Sequence, residues 1–133
     1  MKALTTTFIV FVTILLSACK GEAQQPTATS TTGTMQVIQF HNEHRCATCL
    51  KIESLTKKTL SDYFPAIPFS LVNVEEKKNE KMTEQFEAFG TSLFLYNAKT
   101  GKKKDLTDFA FMNAGDEKKF ESELKKQIET FLK

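Results

Sequence analysis

The sequence Cys46-Ala47-Thr48-Cys49 sits where an apolar run, MQVIQFH from Met35, gives way to residues at helical spacing, and that junction limits the folds open to the chain. Two cysteines so spaced at a helix start share a face one turn apart, a separation that a disulfide bridges without backbone movement. Backbone N–H groups and the positive end of the helix dipole face outward there, and a thiolate is stabilised. Cys46, nearer the end, is the candidate nucleophile. The helix terminus and the Arg45 cation should lower its pKa, with His44 adding to this when protonated. Cys49, one turn deeper, is the candidate resolving thiol. The stretch His41–Cys49 also holds both histidines and the sole arginine of the chain.

The third of the 3 cysteines does a different job. Lys2 precedes an apolar run from Phe8 to Leu16, followed by Ser17, Ala18 and Cys19. This resembles a bacterial lipoprotein signal, in which residues 1–18 are removed and Cys19 becomes the lipidated N-terminus. An uncleaved span is disfavoured, because Ala3–Ala18 reaches only about 24 Å against the roughly 30 Å of a bilayer core. The mature chain should then lie outside the cytoplasm, lipid-anchored in the cell envelope, where disulfides form. Residues 19–34 follow as a tether, KGEAQQPTATSTTGT after the cysteine, without apolar period and spanning about 20 to 23 Å as a coil.

Residues 35–133 form the single domain. After the first strand, Cys49, Ile52, Leu55, Thr59, Leu60 and Tyr63 make a helical stripe that Pro65 and Pro68 close. Phe69, Leu71, Val72 and Val74 read as a second strand, too apolar for a one-sided edge. Met82, Phe86 and Phe89 mark a short helix closed by Gly90. Leu93–Tyr96 is a third strand, joined by the turn Asn97–Gly101 to a fourth around Leu106–Met112. Phe120, Leu124, Ile128 and Phe131 then define an amphipathic helix that starts at Gly115 and Asp116. The order β-α-β-α-β-β-α predicts an α/β fold with a four-stranded mixed sheet, helices on both faces, and helix-separated strands running parallel. Phe69, Phe86, Phe89, Phe94, Phe120 and Phe131 are expected in the core.

That order and the CxxC-capped helix, over Met35–Lys133, resemble the thioredoxin fold. LVNVEE from Leu71, EQFEAFG and LFLYNAKTGKK are similar to the corresponding thioredoxin blocks. A closer likeness is to small bacterial thioredoxin-like proteins of the nitrophenyl compound nitroreductase subunit ArsF family. It runs through an FH…RCxTCxxIE stretch, matched by Phe40, His41, Arg45, Cys46, Thr48, Cys49, Ile52 and Glu53. The likeness implies a link to reduction or arsenic handling. The chain departs from thioredoxin in three places. Arg45-Cys46-Ala47-Thr48-Cys49 replaces Trp-Cys-Gly-Pro-Cys, so the redox potential does not carry over. The family's cis-proline is missing, since no proline follows Pro68 and only Thr91 and Ser92 connect Gly90 to the third strand. Phe40 stands at the position of the family's buried acid, leaving His41 or His44 to move a proton from Cys49.

The leading expectation is a membrane-anchored thiol–disulfide oxidoreductase of the bacterial envelope. Its catalytic residues would be Cys46, Cys49, Arg45 and His44, and it would use no cofactor. Its partners would be protein thiols or disulfides, an electron donor or acceptor, and the membrane through the Cys19 lipid. One alternative is a thiol-based carrier of copper, zinc or arsenite, with His41, His44, Cys46 and Cys49 as a two-nitrogen, two-sulfur ligand set. A non-catalytic interaction domain is the other. With 18 basic and 16 acidic residues the formal charge is only +2, which argues against nucleic acid. The run Lys102–Lys104 reads as a solvated sheet edge. No Gly-rich phosphate loop or hydrolase arrangement is present.

Overall fold

A central strand buried on both faces organises the domain. In the computed structural model, which describes residues 34–133, β1 (Met35–His41) lies between β2 (Phe69–Asn73) and β3 (Ser92–Asn97), with β4 (Lys103–Asp105) beyond β3. The signal segment 1–18, Cys19 and the tether up to residue 33 lie outside the described residues. Val37, Ile38 and Phe40 are fully buried, which is why β1 reads as a nearly continuous apolar run. Among the described residues no helix is long and apolar enough to cross a membrane.

Four helices cover the sheet: α1 (Ala47–Tyr63), α2 (Glu80–Phe86), α3 (Thr107–Asn113) and α4 (Glu117–Phe131). On one face Met35, Val37, Leu93 and Leu95 pack with Ile52, Leu55 and Leu60 of α1, Ala110 of α3 and Phe120, Leu124 and Ile128 of α4. Each large apolar side chain removed from water there contributes about 1.5–3 kcal/mol. On the other face Phe40, Phe86, Phe94 and Tyr96 form an aromatic cluster with ring centroids 5.0–5.8 Å apart. α4 begins as expected, with Asp116 capping it through Oδ1, which accepts from the Lys119 N–H at 3.0 Å. The whole is the expected α/β domain of thioredoxin-like architecture, a four-stranded mixed sheet flanked by helices.

The structure corrects several expectations. β1 and β2 are parallel, but β3 is antiparallel to β1 although a helix precedes it. The reason is the length of the connection. Asn73 pairs with His41 and Ser92 with Phe40, so the chain leaves and re-enters the sheet at one end. The seven residues of α2 span only about 10 Å, too little to return the chain along the strands. β2 is an edge strand with Leu71 exposed. The fourth strand is the short Lys103–Asp105, and Thr107–Asn113 is helix. Asp105 Oδ1 accepts from the Thr107 N–H at 2.8 Å, ending the strand and starting α3. Phe89 leaves the core at 80% exposure, because Glu87 adopts φ 53° and stops α2 just past Phe86. Tyr63 likewise turns outward, while Thr56 is buried within the α1 stripe.

Candidate active site

The end of the sheet that α2 leaves and rejoins also carries the cysteines. His41 closes β1, residues 42–45 form a loop, and Cys46 is the N-cap of α1 with extended φ −74° and ψ 158°. Its Sγ accepts a hydrogen bond from the Cys49 N–H at 3.0 Å, so the sulfur fills the capping role usually taken by a serine or aspartate oxygen. Cys46 and Cys49 are joined in a disulfide with their Cα atoms 5.1 Å apart. The two sulfurs are not equivalent. Cys46 is exposed, whereas Cys49 is 5% exposed. Only Cys46 is open to an incoming sulfur.

Two uncharged residues, not singled out from sequence, hold Cys49. Gln39 is fully buried on the face of β1 that meets α1, and its Nε2 donates to the Cys49 carbonyl at 3.0 Å. Its Oε1 has no hydrogen-bond partner among the described residues. The sequence signal was the two-residue alternation from Val37, which puts position 39 and not Phe40 beneath the helix. Thr91, just before β3, donates its hydroxyl to Cys49 Sγ at 3.3 Å. It occupies the connection where thioredoxins carry their cis-proline, and the described backbone contains no cis peptide bond.

The residues expected to tune Cys46 are placed differently from each other. Arg45 is largely buried and forms an ion pair with Glu53 of α1, Nη1 to Oε2, at 2.5 Å. Glu53 also pairs with Lys57. Burial pushes the Glu53 carboxyl up, but the hydrogen bonds from Lys57 and Arg45 outweigh this and hold it below the usual carboxylate range. The Arg45 charge is thus spent largely on a carboxylate, and its Nε and Nη2 are buried without partners among the described residues. His44 is exposed in the loop. Half-buried His41 directs Nδ1 at the Asn42 carbonyl at 2.7 Å; since a carbonyl only accepts, Nδ1 carries the hydrogen and Nε2 is the acceptor of the uncharged ring. The loop is fastened by Asn42 Nδ2, which donates to Glu75 Oε1 at 3.2 Å.

The four-residue ligand set expected from sequence is not assembled. Among the described residues no group of three or more His, Cys, Asp or Glu could hold a metal ion, and the disulfide engages both sulfurs. A cleft of about 350 Å³ opens between the start of α1 and the end of α3, lined by Ala47, Thr48 and Lys51 of α1, Phe111 of α3, and Ala114 and Gly115. The chain matches no family model and no curated protein. Fold and site together define a thioredoxin-like α/β domain with a CxxC disulfide at a helix N-terminus.

Proposed function

We propose that this protein is a membrane-anchored thiol–disulfide oxidoreductase of the bacterial cell envelope, working through Cys46 and Cys49. The observation that carries the reading is the asymmetry of the pair: an exposed, helix-capping Cys46 bonded to a buried Cys49. In the reducing direction the Cys46 thiolate attacks one sulfur of a partner disulfide. A mixed disulfide forms and the partner's other sulfur leaves with the electron pair. The Cys49 thiolate then attacks Cys46 Sγ, the mixed disulfide breaks, and the second partner sulfur leaves. Two electrons pass from dithiol to partner, and the two protons released by the cysteines are taken up by the partner thiolates. Run backwards, the same steps oxidise a partner dithiol. An electron donor or acceptor must reset the pair, and the Cys19 lipid would keep the domain at the membrane. The likeness to the ArsF family fits a reductive role.

Replacing Cys49 with Ser in the full chain tests this. Cys46 should then accumulate covalent adducts with envelope proteins that a reductant releases, while Cys46→Ser accumulates none. No adducts, together with stoichiometric soft-metal or arsenite uptake by the reduced wild type, would overturn the reading in favour of the carrier. Failure of both would favour an interaction domain. Cys19→Ser should move the protein from the membrane fraction to the soluble one.

A further inference from the structure

Resolution asks a buried sulfur to become an anion, since Cys49 must lose its proton before it attacks Cys46. Burial alone opposes this. The titratable or charged side chains on the segments meeting there are His41 at the end of β1, Glu43, His44 and Arg45 in the loop, Lys51 and Glu53 on α1, Glu87 before β3, and Glu117 on α4. Among the described residues none of them is hydrogen bonded to either sulfur. Arg45 is bound to Glu53, Lys51 to Glu117, and His41 to the loop backbone. Gln39 reaches Cys49 only through the main-chain carbonyl. Among the described residues the side chain hydrogen bonded to the Cys49 sulfur is Thr91, with Oγ1 at 3.3 Å.

We propose that Thr91 is a catalytic residue of the resolving step, its hydroxyl donating to the Cys49 thiolate where no charged group reaches. Position 91 continues the alternation of Leu93 and Leu95, both buried against the α1 side of the sheet, which aims the side chain at Cys49. The β-branched carbon leaves few rotamers, so the hydroxyl is held in place rather than recruited. A hydroxyl also suits both protonation states, accepting from the thiol S–H and donating to the thiolate. The electron bookkeeping is that of the exchange described above. Cys49 gives its proton to solvent, its electron pair forms the bond to Cys46 Sγ, and the partner sulfur departs with the pair of the broken bond and takes up a proton. The site that a proline closes in thioredoxins is here a polar contact to the resolving sulfur.

This rests on the proposed exchange activity, and the test separates the two. Reduced full-length protein is mixed with a chromogenic aromatic disulfide, which releases one thiol when Cys46 attacks and a second when Cys49 resolves. Thr91→Val should slow the second phase about tenfold and leave the first within about twofold, the loss expected for one hydrogen bond to a charged group. Thr91→Ser should restore it. In a Cys46→Ser background the pH midpoint of Cys49 alkylation should rise by about one unit on Thr91→Val. If Thr91→Val does not unfold cooperatively, Thr91→Ala against Thr91→Ser gives the same contrast. An unchanged second phase and midpoint would overturn the role of Thr91 alone. Absence of a second phase in the wild type would overturn the exchange activity and this role with it.

Discussion

Gln39 Nε2 donates to the Cys49 carbonyl at 3.0 Å, tying the fully buried centre of the sheet to the first turn of the helix that bears the disulfide. The other half of the amide, Oε1, is buried without a partner among the described residues. Gln39→Leu therefore removes one hydrogen bond and one unsatisfied acceptor together, and urea unfolding should show a change within about 1 kcal/mol. Gln39→Glu should cost roughly 3 kcal/mol or more at neutral pH, because it buries a carboxylate against a carbonyl. Its folded-state pKa would lie above the unfolded value. The variant should thus be closest to wild type in mild acid and lose stability as pH rises through the folded value.

Glu53 sets the opposite limb. Its carboxyl titrates low in the folded chain, burial notwithstanding, because Lys57 and Arg45 bond the charged form. The folded state then binds fewer protons than the unfolded state around the unfolded pKa of about 4.3. The stability this contributes is complete above that pH and lost as pH falls through the folded value. Denaturant unfolding between about pH 3 and pH 7 should show a steeper acid decline for the wild type than for Glu53→Gln. A double-mutant cycle of Glu53→Gln with Arg45→Met should give a coupling of roughly 1–3 kcal/mol.

Sulfur as a helix cap has a measurable worth. In reduced protein, Cys46→Ser keeps an acceptor for the Cys49 N–H, and Cys46→Ala does not. The alanine variant should be less stable than the serine variant by about 1 kcal/mol in thermal or chemical unfolding. Reduced wild type should also be alkylated at Cys46 at least about tenfold faster than at Cys49, because only the exposed thiol is open to reagent. Mass mapping of partially modified protein reads this directly.

The α3 segment separates the two readings of residues 106–112. A strand there would place Met112 on the same face as Leu106. With Thr107–Asn113 helical, Leu106 at its N-cap is buried and Met112 is 84% exposed. Met112→Ser should change stability by no more than about 0.5 kcal/mol, and Leu106→Ala should cost roughly 2–5 kcal/mol.

That segment also shows where the sequence was legible. α1 and α4 carry apolar residues at helical spacing over several turns, and β1 is apolar on both faces, so their patterns had one reading. Leu106, Phe109, Ala110, Asn113 and Ala114 also recur at helical spacing, but two of the five are alanines and Phe111 and Met112 break the stripe from outside. Short apolar runs of that kind fit strand and helix alike. Phe89 lies outside the core because a single left-handed residue, Glu87, ends α2 early, and a glutamate gives no warning of it. The pairing of the two cysteines at a helix start was readable because it depends on local spacing. Thr91 is not legible in the same way, since it reaches Cys49 only through the pairing of β3 with β1, whereas the alternation of β1 alone places Gln39 under α1. Arg45 precedes Cys46 in sequence, but its charge is claimed by Glu53, which the turn of α1 brings to it.

Cys46 both closes a disulfide and caps a helix, which makes oxidation and folding a single thermodynamic cycle. Whatever the first turn of α1 gains or loses when the cap changes from disulfide sulfur to free thiolate appears, with its sign, in the ease of reducing the bond. At about 30 mV for each 1.4 kcal/mol, a substitution that alters only the start of the helix shifts the reduction potential of the pair without touching either sulfur.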